Sequence, residues 1–319
     1  MPPPVYLAYG LRITSDTALP VLPLADAAVA AADVYLNFRS APAPDVVRWL
    51  ARLESTTRDP WLACARTSTG YLLRFEGAAD VTVSADGSEI GCTPIGDASD
   101  ALLQHLVLDH SMPLALKLKG REALHATTVR TAQGTCAFVG PSGSGKSTLA
   151  AAFLHAGDDV LSDDCACVCL QRGRAYIVPA YPGVRVHADV RETLVMGKQR
   201  AQTTGRRAVK ERWAPPQALD AFPRESQRLV CVYRLSQSPL SGDARRPRIE
   251  SLSVRDGFME LVGSTFRFDA LDRAMLAAEF DVWQQVARTV PVRRLVLADD
   301  LENEEARHLV QSDLASHRY

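Results

Sequence analysis

The chain has 319 residues, of which 47% are hydrophobic and 23% are charged. At roughly 150 residues per domain, this length predicts about two domains. The composition is that of an ordinary globular protein and excludes a disordered chain or a fibrous repeat. The 36 basic residues nearly balance the 37 acidic ones, and the formal net charge is -1. This balance gives no reason to expect nucleic acid or an anionic membrane as a partner.

The seven cysteines include no CxxC pair, so neither a disulfide framework nor a zinc ribbon is expected. Cys165, Cys167 and Cys169 alternate and would share one face of a strand. We interpret them as small buried thiols in a reducing cytosol, with a metal site as the alternative. The N-terminal residues contain no basic segment followed by an apolar run, and no stretch could span a bilayer. We therefore expect a cytoplasmic protein without a signal peptide.

Residues 1–97 are predicted to form a small β-rich domain. Four short stretches alternate apolar and polar residues as strands do: 34–38, 71–75, 81–84 and a segment near Ile90. Asp86 and Gly87 form a turn signal before the last of these strands.

The remainder of the chain is predicted to hold a helical connector and an α/β domain. Residues 98–122 space their apolar side chains as a helix does, and Pro113 should kink or split that helix. From residue 123 to residue 319, strands alternate with helices, which is typical of an α/β domain.

Three charged segments of that domain lack a motif. We interpret the two polar segments, 197–217 and 236–248, as loops with solvated charges. In an alternative interpretation, the basic residues between Lys198 and Arg212 close over phosphate or attract an acidic substrate. The acidic run over 299–305 is predicted to begin the last helix, because negative charges favour a helix N-terminus.

The clearest motif is GPSGSGKS, which fits the pattern GxxxxGK[ST] at every position. Glycines let the main chain bring its N–H groups close to phosphate oxygens, and the helix that follows presents its positive end to the same anion. The sequence therefore predicts ATP and Mg²⁺ as cofactors, with Lys146 facing the β- and γ-phosphates and Ser147 as a Mg²⁺ ligand. The predicted nucleotide-binding residues are Gly140, Pro141, Ser142, Gly143, Ser144, Gly145, Lys146, Ser147 and Thr148.

Two further features lie near this loop in the sequence. Asp163 and Asp164 end the short strand that follows the loop's helix, so the pair should lie beside the phosphates. One carboxylate could hold Mg²⁺ and the other could accept the proton of an incoming hydroxyl, whereas an exposed Asp-Asp turn is the alternative. His125 lies near the strand before the loop, where a structural histidine is the commoner case.

Together these segments resemble the catalytic domain of HPr kinase/phosphorylase. The resemblance lies in LHA at 124–126, GPSGSGKS at 140–147 and LSDD at 161–164. It is greatest to stand-alone kinase-like members found near peptide-modification genes, including those of lasso peptides. The similarity is specific over about 123–170 and looser through 179–185.

The resemblance implies a fold related to phosphoenolpyruvate carboxykinase, ATP as donor and a serine hydroxyl as acceptor. It implies a catalytic role for His125, with Asp163 near the acceptor hydroxyl and Asp164 near the metal. Arg185 is a candidate for binding substrate or phosphate, with a surface salt bridge as its alternative. The bifunctional enzymes have Glu where this chain has Thr148, and their later acidic segment has no clear counterpart. These differences count against phosphorylase activity and against HPr itself as substrate.

Three functions follow as hypotheses. The first is an ATP-dependent kinase for a Ser or Thr hydroxyl of a peptide or small protein, for instance a ribosomal precursor peptide. The second is a kinase for a small metabolite, because nothing in the loop reads the acceptor. The third is a nucleotide-gated binding module of a biosynthetic complex, because the family's later acidic residue is missing. The ring assemblies of the family make a homo-oligomer a further hypothesis.

Overall fold

The computed structural model describes residues 3–25, 31–39, 44–54, 60–187, 210–215, 217–237, 246–297 and 303–316. It is a mixed α/β structure with several sheets. The chain divides into two compact units. Unit 1 comprises Met1–Ala123 and Thr265–Asp281, and unit 2 comprises Leu124–Ser264 and Val282–Tyr319. The predicted connector at 98–122 is thus part of unit 1. The segment Thr265–Asp281, which the sequence placed in the α/β domain, also groups with unit 1.

Within the described residues of unit 1, eight strands form one sheet. In chain order they are β1 (Val5–Ala8), β2 (Leu11–Ser15), β3 (Val34–Asn37), β4 (Val46–Glu54), β5 (Pro60–Thr67), β6 (Gly70–Phe75), β7 (Ala79–Ser84) and β8 (Glu89–Pro94). Their spatial order is β1-β2-β3-β8-β7-β6-β5-β4. The pairs β2–β3 and β3–β8 are parallel, and the other neighbours are antiparallel. The four predicted strands coincide with β3, β6, β7 and β8.

The predicted turn at Asp86 and Gly87 is present between β7 and β8. The Asp86 carboxylate accepts hydrogen bonds from the hydroxyls of Ser84 and Ser88 at 2.7 Å. Gly87 has φ 67°, and a Cβ at this position would lie 2.7 Å from the carbonyl oxygen of Ala115. Only glycine fits there, because both the backbone angle and the available space exclude a side chain.

Three consecutive helical segments follow β8. They are α1 (Asp100–His105), a π segment (Leu106–Ser111) and α2 (Met112–Leu118). Pro113 lies in the first turn of α2, where its missing N–H costs nothing. The π segment ends directly before α2, and the Met112 N–H donates to the carbonyl oxygen of Val107, five residues back. The predicted interruption at Pro113 is therefore confirmed, in the form of a π segment followed by a new helix start.

Ion pairs explain why Thr265–Asp281 belongs to unit 1. Asp269 is 1% exposed, and its carboxylate lies 2.6 Å from the Arg66 guanidinium of β5. Glu279, which is fully buried, lies 2.8 Å from the Lys117 ammonium at the end of α2. That ammonium also contacts Glu122 at 2.7 Å. Buried charges are retained in a fold only when such partners are present.

The chain enters unit 2 within β9 (Glu122–Leu124). The other described strands of this part of the chain are β10 (Ala126–Thr131), β11 (Gly134–Val139), β12 (Asp159–Ser162), β13 (Ala166–Gln171), β14 (Arg174–Val178), β15 (Val184–Val186), β16 (Glu211–Trp213), β17 (Gln227–Gln237), β18 (Arg248–Ser251) and β19 (Val292–Leu297). The helices are α3 (Lys146–His155), α4 (Val254–Gly263), α5 (Arg273–Thr289) and α6 (Asn303–Ser316), of which α5 begins in unit 1.

The main sheet of unit 2 is mixed. Its spatial order includes β12-β10-β11-β17-β14-β13, and β19 lies between β17 and β18. β11 pairs parallel with β17 and β17 parallel with β19, whereas β10 is antiparallel to both β11 and β12. β15 and β16 form a separate antiparallel pair.

Helices cover both faces of this sheet. Successive residues of a strand point to opposite faces, so neighbouring residues belong to different cores. Phe138 of β11 packs in one core with α3 and α6, through residues such as Phe153 and Val310. Its neighbour Val139 belongs to a second core with α4 and α5, which contains the fully buried Trp283. The α/β layering predicted for this part of the chain is present. The last helix begins at Asn303, with Glu304 and Glu305 in its first turn, in agreement with the predicted helix start.

Two further observations concern the cysteines and the helices. Cys165 and Cys167 are buried and Cys169 is partly exposed, and none of the seven cysteines, which all lie within the described residues, forms a disulfide. Among the described residues, no helix combines the length and the apolar character needed to cross a membrane.

Candidate functional site

The predicted site residues converge at one edge of the unit 2 sheet. β10 runs antiparallel to both β11 and β12, so its start meets the ends of the other two strands. In the register, Ala126 pairs with Val139 and Thr128 pairs with Ser162. The residues just beyond these pairs are His125, Gly140 and Asp163. Strand topology alone therefore brings the glycine-rich loop, the acid pair and the histidine together.

The glycine-rich loop connects β11 to α3. Gly140, Gly143 and Gly145 all have positive φ angles, of 146°, 80° and 95°. A Cβ at Gly140 would lie 2.9 Å from the Ser144 hydroxyl oxygen and 3.2 Å from the carbonyl oxygen of Leu235. Gly145 forms the N-cap of α3 and has no side chain to occupy the first N–H groups of the helix. The loop thus leaves a backbone cradle at the positive end of a ten-residue helix, which is a geometry that binds anions.

Lys146 lies in this cradle. Its ammonium donates hydrogen bonds to the carbonyl oxygens of Gly140 at 2.8 Å and Pro141 at 3.2 Å. The residue is 5% exposed, and burial lowers its pKa, whereas the charges of Asp164 and Asp163 act in the opposite direction. Neutral carbonyls are weaker partners for a buried ammonium than an anion is. A phosphate group would therefore be a better partner for Lys146 than the loop itself.

Asp163 is the most constrained carboxylate of the site. Its Oδ1 accepts hydrogen bonds from the hydroxyls of Thr127 at 2.6 Å and Ser147 at 3.0 Å. Its Oδ2 accepts the backbone N–H of Arg185 at 2.7 Å. The residue is 3% exposed, and its pKa is raised by burial and by the neighbouring charge of Asp164, partly offset by these hydrogen bonds. The Ser147–Asp163 contact joins the glycine-rich loop directly to the acid pair.

Asp164 and His125 lie beside this contact. Asp164 is partly exposed and has a left-handed backbone with φ 69°. Its charge acts on both Lys146 and His125, and its backbone forms a hydrogen bond with the His125 ring. Burial and the Lys146 charge lower the pKa of His125, which favours the neutral imidazole. A left-handed backbone is uncommon for residues other than glycine, although aspartate adopts it more readily than most, and such residues are concentrated at functional sites.

The donor set fits a magnesium nucleotide. The Ser144 hydroxyl oxygen is buried and has no hydrogen-bond partner among the described residues. Mg²⁺ takes oxygen ligands, and the Ser147 hydroxyl lies next to a carboxylate here. Pro141 and Ser142 are exposed on the loop and Thr148 is partly exposed in α3, so the outer side of the motif is open to a ligand.

Arg185 contributes its main chain to the site. Beyond its N–H bond to Asp163, its guanidinium donates to the carbonyl of Lys210 at 3.2 Å. The predicted phosphate or substrate role of this side chain stays a prediction. Most of the basic segment 197–217 lies outside the described residues, which include Lys210 and Arg212.

The sequence analysis did not single out Thr127 or the contact between Arg212 and Tyr181, although it placed Arg212 in a basic segment that could close over phosphate. Thr127 binds Asp163, and the Arg212 guanidinium lies 4.3 Å above the Tyr181 ring and donates to its hydroxyl at 3.1 Å. Arg212 also lowers the pKa of Asp163. The sequence feature that could have indicated Thr127 is its position two residues after His125, on a strand that starts at the site. No comparable pattern pointed to the Arg212–Tyr181 stack, because its two partners come from separate segments.

No protein-family model and no curated protein matches the sequence. Among solved structures, the Hpr(Ser) kinase/phosphatase from Coxiella burnetii is similar, with a TM-score of 0.33 and 12% identity. The similarity covers 61% of this chain and 95% of that chain. A likeness of this size assigns neither a family nor an activity. The structure itself defines a mixed α/β protein in which a glycine-rich loop motif meets an acid pair, with Asp163 buried and Asp164 partly exposed.

Proposed function

We propose that this protein is an ATP-dependent kinase that transfers the γ-phosphoryl group to a Ser or Thr hydroxyl of a peptide or small protein. The observation that carries the proposal is the 3.0 Å hydrogen bond between Ser147 and Asp163. This contact brings a phosphate-binding loop, a hydroxyl suited to Mg²⁺ and two carboxylates into one site. Phosphoryl transfer needs this combination, because it depends on charge neutralisation and alignment more than on covalent chemistry.

The contacts of the acid pair support a division of roles that reverses the one implied by the resemblance. Asp163 is buried and both of its oxygens already accept hydrogen bonds, one of them from the Ser147 hydroxyl. It therefore suits the metal side of the site, where it orients Ser147. Asp164 is partly exposed and close to Lys146 and His125. It therefore suits the acceptor side, where a carboxylate must reach an incoming hydroxyl.

The proposed reaction transfers one phosphoryl group from ATP to the acceptor hydroxyl. Bound Mg²⁺·ATP supplies the transferable phosphoryl group and part of the charge neutralisation. Asp164 orients the acceptor hydroxyl and takes its proton. A bond forms between the acceptor oxygen and the γ-phosphorus, and the bond from that phosphorus to the β,γ-bridging oxygen breaks. Lys146 stabilises the negative charge on the phosphates, and neutral His125 holds the backbone of Asp164. ADP and a phosphoester are the products.

A peptide acceptor is supported by the sequence resemblance and by the charges near the site. Lys210 acts electrostatically on both Lys146 and His125, and Arg212 acts on Asp163. These cations would favour acceptors that carry acidic residues near the modified hydroxyl.

The acceptor class can be tested by incubating the full chain with Mg²⁺·ATP and two probes. One is a panel of Ser- and Thr-containing peptides, with and without flanking acidic residues, and the other is a defined metabolite mixture. We expect mass spectrometry to find phosphopeptides, with the acidic peptides modified faster. A phosphorylated metabolite without any phosphopeptide would show the small-molecule kinase. ATP binding without turnover on either probe would show a binding module.

The division of roles predicts different defects for two conservative variants. Asp164→Asn should lower kcat by about 10²–10⁴-fold at an unchanged Mg²⁺ requirement, because it removes a general base. Asp163→Asn should raise the Mg²⁺ concentration for half-maximal activity by about 10–100-fold, because it loosens the group that orients a metal ligand. The measurement is the initial rate of ADP formation against Mg²⁺ concentration.

A matched control for these variants is Asp159→Asn. Asp159 begins β12, the strand directly before the acid pair, and its carboxylate pairs with Arg130. This variant should keep both the wild-type kcat and the wild-type Mg²⁺ requirement. If only Asp164→Asn raises the Mg²⁺ concentration for half-maximal activity, the two aspartates have the roles implied by the resemblance.

A further inference from the structure

The π segment of unit 1 brings two histidine rings together. His105 ends α1, and His110 follows five residues later within the π segment. Residues five apart do not face each other on an α-helix, but they come into line where the hydrogen bonds span five residues. The local hydrogen bonds show this pitch, since Met112 donates to Val107 and the Ser111 hydroxyl to Leu106, the latter at 2.9 Å. π-Helical insertions of this kind are frequent at functional sites.

The two rings approach through the same type of atom. His105 Nε2 lies 3.2 Å from His110 Nε2, and the rings meet nearly edge to face at 76°. The ring of His110 also packs against Phe75 of β6, at 6.2 Å between centroids. Two imidazole nitrogens bound to one tetrahedral zinc ion at about 2.0–2.1 Å would be about 3.3–3.4 Å apart. The observed separation of 3.2 Å is close to that value.

The opposite nitrogen of His105 is held by a carboxylate. His105 Nδ1 lies 2.6 Å from the Oδ2 of Asp109, which is fully buried. This bond places the ring proton of His105 on Nδ1 and leaves its Nε2 lone pair directed at His110. A carboxylate behind a histidine in this way fixes the tautomer and raises the basicity of metal-binding histidines.

We propose that His105 and His110 form a binding site for a divalent transition-metal ion of the zinc type, with Asp109 as the positioning residue behind His105. The ion would take the place of the His110 ring proton that lies between the two Nε2 atoms, and that proton would move to Nδ1 of His110. Imidazole pairs select zinc-type ions, whereas Mg²⁺ prefers oxygen ligands. The His105 side chain is 13% exposed, which leaves the ion access to water for its other positions.

The test is titration of the full chain with Zn²⁺ by calorimetry in a buffer with excess Mg²⁺, which occupies oxygen-rich sites. We expect one Zn²⁺ per chain, with affinity at least about tenfold weaker in His105→Gln and in His110→Gln. Asp109→Asn should weaken binding by about 10–100-fold, which is the usual effect of losing such a carboxylate. The matched control is His308→Gln, because His308 is an exposed histidine of α6. This variant should bind as the wild type does.

Thermal unfolding with and without Zn²⁺ separates binding from misfolding. Zn²⁺ should raise the Tm of the wild type and of His308→Gln but not that of His110→Gln, because only a native-state ligand stabilises the fold. If His105→Gln does not fold, His110→Gln alone decides the matter. Unchanged Zn²⁺ affinity in a folded His110→Gln, or no Zn²⁺ binding by the wild type, would overturn the proposal. Neither outcome depends on kinase activity.

Discussion

Lys146→Met is expected to lower kcat for phosphoryl transfer by about 10²–10³-fold, the usual cost of losing a preorganised charge-stabilising contact. The ammonium lies over the loop, within 2.8 Å of the Gly140 carbonyl oxygen, where the β- and γ-phosphates are proposed to bind. Methionine keeps the length and most of the packing of the side chain but removes the charge. The measurement is kcat and KM for ATP with the best peptide acceptor.

The same variant should not lose stability. Burial lowers the pKa of Lys146, so the folded state disfavours its charged form. Removing that charge should leave the free energy of unfolding unchanged or raise it. A matched control is Lys119→Met, because Lys119 is a partly exposed lysine of unit 1. A Lys146→Met protein that loses its fold together with its activity would contradict the proposed role.

Lys117→Met is expected to destabilise the protein by about 3–5 kcal/mol, the typical cost of removing one partner from a buried ion pair. The Lys117 ammonium lies within 2.7 Å of Glu122 and 2.8 Å of Glu279, and its side chain is 4% exposed. Glu279 retains its contact with Arg267 in the variant, but both glutamates lose the central cation. The measurement is urea unfolding of the purified chain, analysed for unit 1 if the two units unfold separately.

The pH dependence of this effect has a defined sign. Burial raises the pKa of Glu122 even beside Lys117, and removal of the lysine should raise it further. An acid with a raised folded-state pKa costs stability above that pKa, and the cost disappears as it binds a proton on lowering the pH. The loss in free energy of unfolding caused by Lys117→Met should therefore become smaller as the pH falls toward the unfolded pKa of glutamate. Lys119→Met should show no such trend, and a deficit that is independent of pH would contradict the assignment.

A second variant isolates the unpaired charge. Lys117→Met combined with Glu122→Gln should be more stable than Lys117→Met alone at neutral pH, because it no longer buries an uncompensated carboxylate. Equal stability of the two variants would locate the loss in packing instead.

The parts of the candidate site could be predicted from the sequence because each of them is a local pattern. The glycines of the loop, the strand ending at Val139 and the acids after β12 can each be identified within a few residues. The registers that join them are not local. Thr127 reaches Asp163 because β10 runs antiparallel between β11 and β12, and no periodicity specifies which residues then face each other.

The strands of unit 1 also divide into those that local sequence patterns predict and those that depend on pairing with distant residues. β6 and β7 were predicted because they are short and bounded by turn residues. β4 was missed because its sequence, VVRWLARLE, spaces apolar residues as a helix does, and its place at the edge of the sheet is set by pairing with β5. The grouping of Thr265–Asp281 with unit 1 depends on ion pairs such as Arg66–Asp269, whose partners lie 203 positions apart.

This grouping also bears on the order in which the chain can acquire its structure during synthesis. Unit 1 is complete only when Asp281 has left the ribosome, by which time most of unit 2 has already been translated. Translation proceeds at about 5–20 residues per second, so Arg66 would wait on the order of ten seconds or more for Asp269 to emerge. The nascent N-terminal sheet must remain soluble during that interval without the segment Thr265–Asp281.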